Sequence, residues 1–155
     1  MTEQQLKKLV TEVVNSLGND MTLDLALALT EKVKAKAAEM GVNAVIAVSN
    51  SAGNPVSVQC MDDSYIASYD VAFNKAYTVV ALKMPTTALK ELAAPGGSLY
   101  GIQFTNGGKI VIFGGGVPLY NKDGKIIGGL GVSGGSEGED TSLAEYGAEI
   151  FSSLL

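Results

Sequence analysis

Residues 105–119 have the sequence TNGGKIVIFGGGVPL, and residues 127–135 have the sequence IGGLGVSGG. Glycine tolerates positive φ and lets other groups approach the backbone closely. In both stretches the glycines flank short apolar runs and do not form a long flexible tail. The pattern therefore predicts strands that another strand, another subunit or a ligand approaches closely.

The segments on either side of these glycines alternate between helical and strand periodicity. Hairpin turns connect most of the predicted strands, so we expect a mainly antiparallel α/β (α+β) architecture with helices covering a five-stranded sheet. The predicted order is ααββααβββα. The helices are predicted at 3–17, 22–40, 68–83, 87–93 and 139–154, and the strands at 44–49, 56–60, 109–113, 117–120 and 125–132.

Three local signals set helix ends and the domain boundary. Thr22 is the predicted N-cap of the second helix, and Gly41 its end. Thr141 or Ser142 is the predicted cap of the last helix. Gly18-Asn19-Asp20 is predicted to stop the first helix, which divides the chain into an amphipathic helix with its linker at 1–20 and a main domain at 21–155.

The composition excludes several classes of function. The 155 residues are 46% hydrophobic, enough for one core, and the net charge of −5 without a basic run argues against nucleic-acid binding. Cys60 is the one cysteine, and no stretch resembles a signal peptide or a membrane span, so we expect a cytoplasmic protein. The chain has no histidine, which removes the commonest metal ligand and general acid–base group.

Lys75 stands out because it lies in an otherwise apolar helical segment. It is interpreted either as an anion contact with a lowered pKa at a pocket or as a surface lysine with its stem along the helix. Cys60 is interpreted as a small buried hydrophobe in preference to a nucleophile. The acidic groups at 62–63 and 137–140 favour solvated or capping carboxylates over a cation site.

The GxGxxG pattern at 129–134 follows a predicted strand, but the chain ends with the next helix. A dinucleotide-binding fold needs a further parallel strand and an acidic residue after that helix. The pattern therefore does not predict nicotinamide or flavin binding.

Taken together, the motifs resemble the GlcG/HbpS family, which includes the C-terminal domain of PduO-type corrinoid adenosyltransferases. The resemblance runs from about residue 22 to the C-terminus. The motifs that carry it are Met61-Asp62, Lys75-Ala76-x-Thr78, Pro85-Thr86-x-x-Leu89, Pro95-Gly96, Leu99-Tyr100-Gly101, Asn106-Gly107-Gly108, Phe113-Gly114-Gly115-Gly116-Val117-Pro118-Leu119, Gly131-Val132-Ser133-Gly134-Gly135 and Asp140.

The resemblance implies a profilin-like fold, a homo-oligomer, and a non-catalytic accessory protein that binds haem or a corrinoid. It implies no catalytic set and no protein metal site. Haem-binding relatives of the PduO type use a histidine as axial ligand, and this chain has none. The predicted ligand-binding residues are Lys75, which could pair with a propionate, together with Thr86, Tyr100, Asn106, Gly107 and Gly108.

Residues 3–17 resemble the short amphipathic helices that direct cargo into bacterial microcompartments, where they bind a shell or cargo protein. The alternative is that this helix packs on its own domain or on a neighbouring subunit.

Two other functions stay open. One is an enzyme acting on a small carbonyl or hydroxy-acid metabolite, with Lys75 as base or anchor and the backbone amides of 106–108 as an anion nest. The other is a purely structural homo-oligomer without a ligand.

Overall fold

The computed structural model of the chain describes residues 1–17 and 20–155, with the backbone alone given for 15–17. The predicted helix stop at Gly18 and Asn19 lies outside the described residues. The elements are α1 (Glu3–Leu17), α2 (Leu23–Met40), β1 (Val45–Asn50), β2 (Pro55–Cys60), α3 (Ile66–Ala81), α4 (Thr86–Ala93), β3 (Gly116–Tyr120), β4 (Ile126–Ser133) and α5 (Glu137–Phe151), with 3-10 turns at Ile102–Phe104, Asn106–Gly108 and Ser152–Leu154.

Helix α2 begins and ends where its capping residues predict. The Thr22 side chain accepts a hydrogen bond from the backbone N–H of Leu25 at 3.2 Å. Gly41 adopts φ 72°, and its N–H donates to the carbonyls of Ala37 and Ala38. Both predicted caps of α2 are therefore confirmed. Within the described residues, none of the helices is both long and apolar enough to cross a bilayer.

The strands form one antiparallel sheet in the order β2-β1-β4-β3. The predicted turn between β3 and β4 is present, and Asn121 Oδ1 accepts hydrogen bonds from the backbone N–H groups of Asp123 and Lys125, both at 2.9 Å. The prediction of an antiparallel sheet with helices on its faces is confirmed.

The predicted fifth strand, at 109–113, is wrong, and the described part of the chain has four strands. This segment bonds to a side chain of α3 in place of a strand. Val111 N–H donates to Thr78 Oγ1 at 3.0 Å, and the Thr78 hydroxyl also contacts the carbonyl of Lys109. Ile110 is buried, so the apolar character that suggested a strand serves packing alone.

Helix α5 starts earlier than predicted, and its cap is neither Thr141 nor Ser142. The Ser136 side chain accepts from the N–H of Glu139, whose carboxylate accepts from the N–H of Ser136. This reciprocal capping box satisfies two N–H groups that the first turn leaves free. The helix ends at Phe151, and a 3-10 turn replaces its predicted last residues.

The two faces of the sheet are packed differently. One face carries large apolar side chains, among them Ile46, Leu130 and Val132, which pack with α2 and α5 in the main core. The other face carries small residues and is covered by α3. A Cβ at Gly129 or Gly131 would collide with carbonyl oxygens of α3, which shows that the α3 backbone lies directly on β4. Side chains in the middle of α3 are therefore enclosed.

Candidate functional site

Lys75 lies in the middle of α3 and is fully buried, with 0% of its surface exposed. Its Nζ donates a hydrogen bond to the carbonyl oxygen of Val132 at 2.7 Å and contacts Asp140 Oδ2 at 3.4 Å. The same Nζ lies 5.0 Å from the centre of the Phe113 ring, a distance typical of a cation–π contact. The surface-lysine interpretation of Lys75 is therefore wrong.

Glycines make the space that Lys75 occupies. A Cβ at Gly115 would lie 2.6 Å from Lys75 Nζ, and one at Gly116 would lie 3.2 Å from Lys75 Cβ. Gly115 also has φ 113°, a conformation that other residues rarely adopt. The close approach predicted for this glycine block is thus an approach of backbone to a buried lysine.

Asp140, on α5, is buried, so of the two predicted roles the solvated one is wrong, while its bond to the backbone just before α5 agrees with the capping one. Its Oδ1 accepts from the N–H of Gly135 at 2.8 Å, while Oδ2 faces Lys75. Burial raises the pKa of Asp140 despite these donors, and burial lowers the pKa of Lys75 despite the nearby carboxylate. Both shifts disfavour the charged form of the side chain concerned.

A cavity of about 240 Å³ lies against this pair. Asp140 and Phe113 form part of its wall, and two serines form another part, with Ser133 Oγ donating to Ser68 Oγ at 3.0 Å. A second cavity of about 420 Å³ shares Tyr65 and the Gly134-Gly135 turn with the first. The two cavities thus adjoin at the N-terminus of α5.

A surface ion pair holds the glycine segment to α4 and α5. Glu137 accepts from Lys90 Nζ at 2.9 and 2.7 Å and from the N–H of Gly114 at 3.0 Å. The Lys90 bond is the main reason that the pKa of Glu137 lies below its usual value. Glu137 also lines the smaller cavity, which therefore carries two carboxylates.

The structure divides the predicted ligand-binding residues into two groups. Thr86 is close to Lys75, since a Cβ at Gly116 would touch both side chains. Thr86 Oγ1 accepts from the N–H of Gly116 at 2.9 Å, so this hydroxyl fixes the backbone.

The other predicted residues lie in the connection between α4 and β3. Tyr100 is 66% exposed, and Asn106 accepts a hydrogen bond from the Tyr77 hydroxyl at 3.1 Å. Asn106, Gly107 and Gly108 all have positive φ, and the two glycines face open space. None of these residues lines either of the two adjoining cavities.

Three features of the site were missed from the sequence. Ser68 carried no signal, because isolated serines are common in helices, and Ser133 was noted only as part of a family motif. Phe113 was assigned to a strand. Cys60, expected to be buried, is exposed at the end of edge strand β2 and lines a separate cavity with Met61.

No group of three or more acidic or cysteine side chains that could hold a metal ion occurs in the described ranges, 1–17 and 20–155.

Comparisons with known proteins identify the family. Residues 21–149 match the family described as haem degrading protein HbpS-like. A 15.0 kDa protein of the dhaT-dhaS intergenic region of Citrobacter freundii is 44% identical over 134 residues, which are 86% of this chain and 94% of that protein. The corrinoid adenosyltransferase PduO of Citrobacter freundii is 33% identical over 145 residues, which are 94% of this chain but 43% of PduO.

A solved structure shares both sequence and fold with the chain. The crystal structure of a PduOC:heme complex superposes with a TM-score of 0.80 and 34% identity, covering 84% of this chain and 94% of that one. The family match, the relatives and this structure agree with the resemblance found in the motifs. The chain is a member of the HbpS-like family.

Proposed function

We propose that this protein is a non-catalytic accessory protein that binds a tetrapyrrole, with haem as the first candidate and a corrinoid as the second. The observation that carries the proposal is the fold and sequence likeness to PduOC in its haem complex. The corrinoid candidate rests on the likeness to PduO, of which this chain spans less than half. Bound haem would supply a redox-active iron.

The side chains available for the iron point to tyrosine. Haem iron in proteins is held by His, Cys, Met or Tyr, and this chain has no histidine. Tyr65 is the only His, Cys, Met or Tyr among the described residues that line the two adjoining cavities, and its surface is 72% exposed. The donor set therefore fits haem through a phenolate, with Cys60 at the separate cavity as the competing ligand.

The surface beside Tyr65 suits a flat apolar ring. Ile66 is 97% exposed and Tyr69 is also exposed, so a tetrapyrrole lying here would cover apolar surface that water now contacts. Lys75 is enclosed and faces Asp140, and the cavity wall carries Glu137. We therefore propose that the propionates point to solvent, away from these carboxylates, and that Lys75 does not pair with them.

Haemin titration tests this proposal. Haemin added to the protein should give a Soret band distinct from free haemin and a visible spectrum typical of tyrosinate ligation. Tyr65→Phe should abolish the tyrosinate bands, whereas the matched controls Tyr100→Phe and Cys60→Ser should keep them. If the wild-type spectrum stays that of free haemin, haem is not the ligand, and the same titration with hydroxocobalamin then tests the corrinoid.

We further propose that the protein assembles as a homo-oligomer. Tyr100 and Phe104 expose large rings on the connection between α4 and β3, and a second copy would cover them. The predicted contributions of Tyr100 and of Asn106–Gly108 to the ligand site would then be made across a subunit interface. Sedimentation velocity of wild type and of Phe104→Ser checks this: a monomer in both would contradict it.

Helix α1 supports a role in recruitment to a microcompartment. Its apolar stripe stays largely exposed, at 46% for Leu6, 49% for Leu9, 51% for Val10 and 60% for Val14, while its polar side carries the Glu3–Lys7 and Glu12–Lys8 ion pairs. We propose that this stripe binds a helix of a shell or cargo protein. Full-length protein should co-sediment with shells and Leu9→Asp should not; equal recovery of both would contradict the proposal.

A further inference from the structure

We propose that Lys75 captures small uncharged aldehydes as a covalent imine, and that the Phe113 ring is the gate between the amine and the smaller cavity. This inference concerns a group that the haem proposal does not use, although Tyr65, the proposed iron ligand, lines the same cavity. It rests on the geometry around Nζ, on the position of Phe113 and on the charges of the cavity wall.

The surroundings of Nζ leave one side of the amine for a ligand. Two sides face acceptors, the Val132 carbonyl at 2.7 Å and Asp140 Oδ2 at 3.4 Å, and Phe113 lies on a further side. A neutral amine has two N–H groups and one lone pair. When the N–H groups of a neutral amine point to the two oxygens, the lone pair is the part of the amine left for a ligand.

Phe113 is placed to open and close this side. Its ring is 39% exposed and lines the smaller cavity, while its inner surface faces Lys75. The residue lies outside the sheet and is followed by Gly114, Gly115 and Gly116. Rotation of the ring would join the cavity to the amine without disturbing a strand.

Asp140 supplies the proton transfers that imine formation needs. Burial lowers the pKa of Lys75 and raises the pKa of Asp140, and both shifts act in the direction that imine formation needs, toward an amine that can attack and a carboxyl that can donate a proton. The amine nitrogen attacks the carbonyl carbon, the C=O electron pair moves to oxygen, and oxygen takes the proton from Asp140. The nitrogen then returns a proton to Asp140, giving a neutral carbinolamine.

Loss of water completes the step. Asp140 protonates the carbinolamine hydroxyl, the nitrogen lone pair expels water, and the carboxylate takes the remaining N–H proton. One amine and one aldehyde therefore give one imine and one water, with no net change of oxidation state or of the charge on the pair.

The cavity wall selects the class of aldehyde. Its volume of about 240 Å³ admits a compound of a few carbon atoms. The Ser68 and Ser133 hydroxyls can hydrogen-bond a substrate hydroxyl, whereas the Glu137 carboxylate would repel a second carboxylate. An uncharged hydroxyaldehyde fits better than an oxo acid.

Reductive trapping tests the proposal on the intact protein without added haem. Glycolaldehyde with sodium cyanoborohydride at neutral pH should convert Lys75 to a hydroxyethyl-lysine, mapped by proteolysis and mass spectrometry. We expect Lys75 to be labelled faster than exposed Lys122, because an amine with a lowered pKa has a larger neutral fraction at neutral pH. Labelling that is equal at the two sites, or absent from Lys75, overturns the proposal.

Two variants and a second aldehyde test three parts of the proposal separately: Phe113 as the gate, Asp140 as the acid, and the preference for an uncharged ligand. Phe113→Ala should label faster than wild type, and Asp140→Asn should label more slowly while keeping the circular dichroism of the fold. Glyoxylate should label Lys75 more slowly than glycolaldehyde. An unchanged rate in Phe113→Ala refutes the gate, and preferred labelling by glyoxylate refutes the uncharged ligand.

Discussion

The buried pair of Lys75 and Asp140 predicts a large loss of stability when one partner is removed. Lys75→Met keeps most of the side-chain volume but deletes the donors to Val132 and Asp140. Removing one partner of a buried pair costs about 3–5 kcal/mol. Asp140 retains its backbone donors at Gly134 and Gly135, so we expect the lower end, about 3 kcal/mol.

The double variant Lys75→Met with Asp140→Leu should be far more stable than the sum of its single changes. An apolar pair of similar volume removes the desolvation cost of both charges, which often makes such a replacement neutral or better. The N–H groups of Gly134 and Gly135 lose their acceptor, so we expect the double variant about 1–2 kcal/mol below wild type.

Urea unfolding followed by circular dichroism measures these free energies, with Lys122→Met as the control for loss of an exposed lysine. The control should lie within about 0.5 kcal/mol of wild type. A loss below about 1 kcal/mol for Lys75→Met would refute the reasoning, since it is too small for a buried pair. Additive single effects in the double variant would refute it equally, because they would show that the two side chains are not coupled.

Four further predictions concern Lys75, Glu137, Ser136 and Gly131. Raising the pH toward 10.5 should increase the free energy of unfolding of wild type but not of Lys75→Met. Between the lowered pKa of Lys75 in the folded chain and its ordinary value of 10.5, the unfolded chain binds more protons than the folded chain, so stability rises with pH. Urea titrations at several pH values check this. Glu137→Gln should lower the melting temperature at neutral pH and lessen the acid sensitivity below pH 4.5, since the stabilisation from a depressed carboxylate pKa is lost as the pH falls; thermal melts that match wild type at every pH would contradict this. Ser136→Ala should cost about 1 kcal/mol and Gly131→Ala about 1–3 kcal/mol in urea unfolding, from the lost cap and from the collision with α3.

Local chemistry was the predictable part of this fold. Thr22 and Gly41 act within one turn of the helix that they cap, so their roles can be read from the sequence. The spacing of Ser136 and Glu139 is that of a capping box, but the cap was predicted at Thr141 or Ser142. The start of α5 was therefore misplaced although the signal for it is present in the sequence.

The features that could not be predicted depend on contacts between residues that lie far apart in the chain. The run at 109–113 has the apolar character of a strand, and only the position of Thr78 on another element shows that its N–H groups bond elsewhere. The apolar neighbours of Lys75 on its helix left two interpretations open, because the room for its side chain comes from Gly115 and Gly131, far along the chain. The family motifs brought Lys75 and Asp140 to notice together, but their contact is a product of the fold.

Asp20 gives the domain a mechanical anchor just after the first helix. Its Oδ1 accepts from the N–H groups of both Met21 and Ser51, and the N–H of Met21 donates to the carbonyl of Ile127 on β4. A force applied to α1 by a bound partner would therefore act on the β1–β2 turn and on β4, in the middle of the sheet, before it acted on α2. These three hydrogen bonds would be the first contacts of the domain to carry a force applied through α1.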